Sequence, residues 1–425
     1  MVVGGGLAGL VAAARLSKAG HQVLLLEAGR DIGGRARTTS DDGFQLNFGP
    51  HALYRRGIGM KLLKDLGVHP GGRMPGGRTL ALRNQRLGRL PSGLGSLLTS
   101  RCFNLRSKQA IARLMMSLPK IDSRDLVGVT VQEWVVRQTD DSGARLLLLA
   151  LNRLTSYSNE PALQCASAAV EQLQLALAGN VLYADHGWQS LCDSLLQISM
   201  QFETTVHCFS PVAELRRDGD QCVSGVVLND GTEIVARNVV LAVPPSAATR
   251  LIPDEMAESV HAFAAAAIPV RAASLTVGLK RSQNGQAPFV LGLDEPLYYS
   301  VHSEFAKLTP DSGSLIHVMK YLDDHQQTSN ELRSELESLL CRMLPDWKTD
   351  CVVEQFLPGI TVVPALDLAA SDGASGRPAV SVEQLPGLWL AGDWVGNEGM
   401  LADASIASGY RAAEAVLNQR SVSCV

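Results

Sequence analysis

No stretch of this 425-residue chain reaches the ~18 consecutive apolar residues that a membrane-crossing helix requires. No charged-then-apolar leader precedes the first element, so a signal peptide is not expected. The eight cysteines (102, 165, 192, 208, 222, 341, 351 and 424) form no C-x-x-C pair and no metal-ligand spacing. They predict reduced thiols, no metal, and a cytoplasmic protein. A net charge of −4 gives no electrostatic case for nucleic acid as a partner. With 46% hydrophobic and 19% charged residues the chain reads as globular. Its length exceeds one ordinary core and predicts two domains. Internal repeats and low-complexity tracts are also lacking.

What is present is concentrated at the start. Val2 and Val3 lead at once into Gly4-Gly5-Gly6-Leu7-Ala8-Gly9, then a small-residue helix, Gly20 as a stop, and the strand Val23–Leu26 ending on Glu27. Strand, glycine turn, helix, strand and acid together make a dinucleotide fingerprint. Gly4 permits the turn, Gly6 admits a pyrophosphate to the backbone, and Gly9 lets helix and strand pack closely. The helix that opens at Leu7 and Ala8 points free N–H groups at the phosphates. Glu27 is placed to accept from a ribose hydroxyl. This motif alone leaves NAD and FAD both open. Only three residues precede Gly4, so the first strand is either clipped or simply short, and a weakly held cofactor, lost on purification, is expected.

Beyond Glu27 come Ala28, Arg30 and the run Gly33-Gly34-Arg35. The glycines let the chain fold back over a bound dinucleotide, Arg35 can neutralise pyrophosphate charge, and Arg30 can lie along the adenosine. Gln45 to Phe48 then runs as a strand into Gly49-Pro50-His51. The fingerprint, the E-x-x-x-x-x-G-G-R continuation and the F-G-P turn, in that order, resemble the superfamily of FAD-dependent amine oxidases, protoporphyrinogen oxidases and phytoene (carotenoid) desaturases. The resemblance implies that Gly49 and Pro50 pass near the flavin ring, with His51 facing the ring or the substrate. It also implies that Val212, after Ser210-Pro211, meets the adenine through its backbone. Near the C-terminus, the apolar strand 387–391 ends on Gly392-Asp393, and Gly399-Met400-Leu401 opens a small-residue helix through Ala404 to about Leu417. In the resembled enzymes the Gly-Asp carboxylate meets the ribityl or pyrophosphate, and the helix N-terminus faces the pyrimidine ring, with N–H groups here from Met400 and Leu401. A helix start stabilises negative charge there without reorganisation. The cofactor implied is non-covalent FAD.

The middle of the chain is less explicit. Residues 67–121 carry ten Lys or Arg and no Asp or Glu, interleaved with leucine. This is a solvated basic face, an entrance for an anionic substrate, or a peripheral membrane contact. Helices are predicted at 130–137 with Thr130 as N-cap, at 144–154 and at 162–178. Another runs from 189 to about 200 after the aromatic-glycine stretch 183–188. Strands follow at 204–215, 222–228 and 233–241, with a type I′ turn at Asp230-Gly231. Then come a helix at 253–267, strands at 272–279, 289–293, 298–301 and 314–321, a helix at 329–343 and a strand at 351–357.

The predicted fold is α/β. A Rossmann-like FAD-binding domain, parallel sheet plus β-meander, is drawn from 1–73, 183–255 and 384–425. A discontinuous α+β substrate domain, from 74–182 and 256–383, sets a mostly helical roof on a sheet floor.

Three chemistries fit. One is dehydrogenation of a lipophilic, mainly apolar small molecule by hydride removal, of the desaturase or protoporphyrinogen oxidase kind. A second is amine oxidation, whose enzymes commonly carry a lysine near the flavin on a strand after a proline turn. The matching stretch 268–276 has no lysine, and Arg271 is the only cationic substitute. A third is a flavin-binding protein or isomerase without net redox turnover. His51, Arg271 and Lys320 are the catalytic candidates. His302 and Tyr299 are further polar groups, and His317 and Lys320, three apart on a strand, must face opposite sides.

Overall fold

The computed structural model describes residues 1–425 except 219–221, 284–285, 311, 324–326 and 420–425. Cys424 therefore lies outside the described residues, and the other seven cysteines are free thiols.

A five-stranded parallel sheet runs in the order Thr205–His207, Leu24–Leu26, Val2–Val3, Val239–Leu241, Leu388–Leu390. The two-residue strand Val2–Val3 is central. It pairs with Leu25 and Leu26 on one side and with Val240 and Leu241 on the other, and both its residues are buried. Such strands read as unbroken apolar runs because both sheet faces are covered. Helices Leu7–Lys18, Ile58–Leu66, Gln189–Met200 and Leu401–Asn418 share one core with it. An antiparallel meander, Val212–Arg217, Val223–Leu228 and Glu233–Val235, shares the core on the opposite side.

Two predicted strands are in fact four. The stretch 204–215 divides at Ser210-Pro211, after Phe209 in a left-handed conformation (φ +53°): its first part joins the parallel sheet and its second the meander. Likewise 233–241 divides between Glu233–Val235 and Val239–Leu241. The turn at Asp230-Gly231, between Val223–Leu228 and Glu233–Val235, is not type I′. Asp230 does not have positive φ; only Gly231 does (φ +84°), and Leu228 accepts from the Gly231 N–H at 2.9 Å, so the loop closes through a glycine bulge. The helix expected at 253–267 is a short 3-10 turn, Asp254–Met256, followed by Glu258–Ala266.

The second sheet has seven strands in the order Cys351–Val363, Val270–Leu279, Ser314–Tyr321, Leu297–Val301, Phe289–Gly292, Thr79–Arg83, Arg86–Arg89. The last two form a hairpin from the basic segment, which was expected to be roof. One face of the sheet packs on helix Ser329–Met343, started by a capping box of Thr328 and Glu331. Helices Leu105–Ser117, Val131–Gln138, Ser142–Ser156 and Ala166–Gly179 build the roof, and Thr130 caps the second of them with Glu133 completing the box.

Candidate functional site

The fingerprint closes on itself by backbone contacts. Gly4 donates to the Leu26 carbonyl at 2.8 Å from a left-handed φ of +105°, and a Cβ there would stand 2.3 Å from the Ala242 carbonyl oxygen. At Gly9 a Cβ would lie 1.9 Å from the Gly4 oxygen. Gly6 differs, since a Cβ on it would meet nothing within 4 Å. Two glycines thus permit packing, and the one at the helix N-cap borders open space. No side chain caps the helix at Leu7 and Ala8, the end that carries the positive pole of its dipole.

Glu27 binds this loop from the far side. One carboxylate oxygen accepts from the Gly5 N–H and the other from the Gly29 N–H beyond Ala28, both at 2.7 Å. Gly33 (φ +113°) donates to Gly5, which brings the second glycine pair, Gly33-Gly34, against Gly6. Arg30 is 81% exposed at this end. A pyrophosphate-sized anion fits an open glycine and an uncapped helix start, and a ribose fits the remaining carboxylate lone pairs.

The C-terminal motif lies directly alongside. Helix Leu401–Asn418 crosses helix Leu7–Lys18 so closely that a Cβ on Gly409 would sit 2.2 Å from the Ala8 carbonyl oxygen. Gly392 (φ +148°) donates to the Ser408 hydroxyl at 2.9 Å, and Asp393 grips Arg35 with both carboxylate oxygens. Gly399 (φ +70°) and Leu401 (φ +54°) turn the chain into the helix at Met400, and Ala404 is fully buried one turn in. The residues of both ends fit one extended dinucleotide. Val212 starts the meander against Leu228 and packs partly buried in the core beneath.

Gly49 (φ +86°) and Pro50 face the floor sheet. A Cβ on Gly49 would press on Ile360 and Ser274, and the Pro50 carbonyl accepts from the Tyr157 hydroxyl at 2.9 Å. His51 is held at both nitrogens, by the Gly49 carbonyl at 3.0 Å and the Arg35 carbonyl at 3.1 Å, and lies against Trp188. Burial lowers its pKa, against the pull of the two carbonyl contacts toward the charged ring.

The strand register decides the other candidates. Thr276 opposes His317, Ser274 opposes Met319, and Ala272 opposes Tyr321; all six share one sheet face with Tyr298 and Ser300. Thr276 bonds the His317 Nδ1 at 2.9 Å, and Tyr298 bonds the His302 Nε2 at 3.2 Å. Burial lowers both imidazole pKa values, His317 to about 3, and raises that of Tyr298. Lys320 and Arg271 fall on the opposite face. Lys320 pairs with Glu335 of helix Ser329–Met343 at 2.5 Å, and Arg271 is exposed beside Gly359. Neither reaches the ring side of the sheet, because residues of odd offset from Ser274 and His317 must point away. Tyr299 faces away by the same rule.

Sequence reasoning missed Tyr157, a helix C-cap with φ +63°, and the buried pair Asp367–Arg377. No local pattern marks either. Among the described residues, no group of three or more His, Cys, Asp or Glu could hold a metal ion.

Comparison with known proteins places these features in company. The profile of the flavin-containing amine oxidoreductases matches residues 7–417. A 15-cis-phytoene desaturase of Glycine max is 25% identical over 279 residues, covering 60% of this chain and 49% of the relative. A coproporphyrinogen III oxidase of Propionibacterium freudenreichii is 35% identical over 106 residues, 24% of this chain and 20% of the relative. The chain thus spans about half the length of the first of these curated relatives and less of the second. A solved putrescine oxidase bound to putrescine shares the fold, with TM-score 0.74 at 19% identity over 98% of both chains.

Proposed function

Because the chain belongs to the flavin-containing amine oxidoreductase family, and is an FAD-dependent oxidoreductase, we propose that it removes a hydride from a mainly apolar, uncharged small molecule. Bound across the two glycine motifs, FAD supplies the two-electron chemistry. Leu7, Ala8 and Gly6 receive the phosphates, Glu27 the ribose, and Arg35 the pyrophosphate charge. Met400 and Leu401 present N–H groups to the ring, and Gly49, Pro50 and His51 line its substrate side.

One observation carries the substrate class. On strands Val270–Leu279, Ser314–Tyr321 and Leu297–Val301 the ring-side face presents Ala272, Ser274, Thr276, His317, Met319, Tyr321, Tyr298 and Ser300, none of them a carboxylate or a cation, and the roof's Arg153 near Tyr321 donates to the Gly292 and Leu293 carbonyls. Ile360 and Val362 of the edge strand and Leu154 of the roof add apolar contacts beside Tyr321. A neutral molecule is desolvated there cheaply, whereas an ion would need a charged partner. The desaturase and porphyrinogen-oxidase relatives accord with this reading. Amine oxidation loses its expected cation, since Arg271 points away. Anaerobic incubation of the purified yellow protein with amines, porphyrinogens and polyenes tests the assignment. Bleaching by amines alone would reverse it. Turnover without bleaching and without an acceptor would favour the isomerase.

The domain division drawn from the sequence, with 1–73, 183–255 and 384–425 holding FAD and 74–182 and 256–383 holding substrate, is part of this proposal. So is a cytoplasmic location with peripheral membrane contact. No helix among the described residues is long and apolar enough to cross a membrane. Leu94 and Leu98, however, are 66% and 72% exposed on the short helix Leu94–Thr99, and Leu105 is 72% exposed on helix Leu105–Ser117, which also carries Arg106 and Lys108. Exposed leucines among arginines suit an anionic interface. Co-sedimentation with anionic vesicles at low salt, lost at high salt, is the expected outcome; no co-sedimentation at low salt ends the idea.

A further inference from the structure

The loop that delivers the C-terminal helix is anchored by a charged pair inside the protein. Arg377 and Asp367 have side chains only 4% exposed. The guanidinium donates through Nε to one Asp367 oxygen at 2.7 Å and through Nη2 to the other at 2.5 Å. Its remaining arm, Nη1, donates to the Gly399 carbonyl at 3.0 Å. Asp367 is itself fixed to the roof, because its backbone carbonyl accepts from Cys165, the N-cap of helix Ala166–Gly179. Arg377 is fixed nearby, since the Pro378 carbonyl accepts from Gly396.

Such a pair is an expensive way to hold a loop, because two charges must leave water. Its geometry shows what it controls. The Gly399–Met400 peptide is planar and trans, so its carbonyl and its N–H point in opposite directions. Drawing the Gly399 carbonyl toward Arg377 therefore turns the Met400 N–H away from Arg377 and fixes it. The next residue, Leu401, sits at φ +54°, a left-handed conformation that is strained for a leucine and persists only under external constraint. Gly399 itself stands at φ +70°. The strained entry to the helix is thus clamped at its first carbonyl by one arm of Arg377, and the clamp is aligned by Asp367. The pair is nearly neutral as a unit, so its influence passes through geometry more than through its field.

Resting on the reading that this helix start meets the flavin, we propose that Arg377, held by Asp367, is a positioning residue that sets the reduction potential of the bound flavin by aiming the Met400 and Leu401 N–H groups. Preorganised donors stabilise added negative charge only when they do not have to reorient, and freeing the Gly399 peptide removes that preorganisation. The test is a reductive titration of the holoenzyme against reference dyes, with FAD affinity and thermal midpoint measured alongside. Arg377→Met and Asp367→Asn are expected to weaken the preference for reduced flavin about tenfold, a downward shift of ~30 mV for a two-electron couple. Should Arg377→Met not accumulate folded, Arg377→Lys carries the same test, since it keeps the cation but cannot bind Asp367 twice and Gly399 together. A lowered thermal midpoint with the potential unmoved overturns the proposal. Wild-type protein that takes up no FAD overturns both this inference and the functional reading, whereas wild-type that binds FAD with a potential indifferent to these substitutions overturns this inference alone.

Discussion

Arg35 and Asp393 come from opposite ends of the chain and meet in a bidentate ion pair, two guanidinium nitrogens each 2.7 Å from a carboxylate oxygen. The carboxylate is 2% exposed and the guanidinium 45%, so the acid is committed to the arginine while the arginine still faces outward. Asp393 and the Val362 carbonyl together hold Arg35 in place. Replacing Arg35 with Gln should weaken FAD binding about tenfold to a hundredfold, as expected for loss of a charge-assisted contact. Asp393→Asn should cost less, because the freed guanidinium can still pair with phosphate. Flavin fluorescence titration ranks the two, and equal losses would refute this division of roles.

Glu27 offers a sharper case. Both its oxygens accept backbone N–H bonds, from Gly5 and Gly29. Glutamine supplies one oxygen and sets an NH2 against the second donor. Glu27→Gln should therefore destabilise even the FAD-free protein by ~1–3 kcal/mol. A thermal melt of the apoprotein reads this directly, and an unchanged midpoint with weakened FAD binding would confine Glu27 to the ribose.

Asp403 predicts a dependence on pH. It lies in the first turn of the C-terminal helix, 2% exposed, with one oxygen accepting from the Gly59 N–H at 3.0 Å and the other without a partner. Gly57, Gly59 and Gly399 crowd it, and Tyr54 is the titratable group coupled to it. Burial raises its pKa from 3.8 to about 7. A raised carboxyl pKa means the fold favours the protonated form. Its contribution is full below about pH 4, falls as pH rises toward 7, and is level above that. Asp403→Asn should gain on wild-type between about pH 4 and pH 7, by roughly 1.4 kcal/mol per unit at most, and run level with it above that. Thermal midpoints of the two proteins that run parallel across this range would dispose of the prediction.

Lys320 was a reasonable catalytic candidate from sequence, and the register removes it. Lys320→Met should lower stability through the lost Glu335 pair while leaving turnover per bound flavin within about twofold. A large fall in kcat with flavin content intact would restore its candidacy.

How much of this was legible depends on the distance between partners. The fingerprint and the Gly33-Gly34-Arg35 run could be read because each function lies within a few residues of its cause. The strand runs at 204–215 and 233–241 were read as single elements because β-propensity cannot say which sheet takes each half; Pro211 and the contacts of two different sheets decide that. Tyr157 and Arg377 were invisible, since their roles exist only against Pro50 and Gly399, far away in sequence. The side on which Lys320 falls could be narrowed by alternation but not chosen until the helix packed beneath it was known.

The central position of Val2–Val3 also orders events in time. Its neighbours are Leu25–Leu26, made almost at once, and Val240–Leu241, made hundreds of residues later; Trp389 then pairs with Val240. A ribosome therefore releases the Gly4–Gly9 loop long before anything can close the sheet around it. Helix Leu401–Asn418, whose Gly409 rests on Ala8, arrives later still. Until then the early strands present an unpaired edge, which favours association with other chains and slow, non-local closure. The cofactor can act only on a completed polypeptide, so the yield of loaded protein in a cell should respond to chaperone supply before it responds to flavin supply.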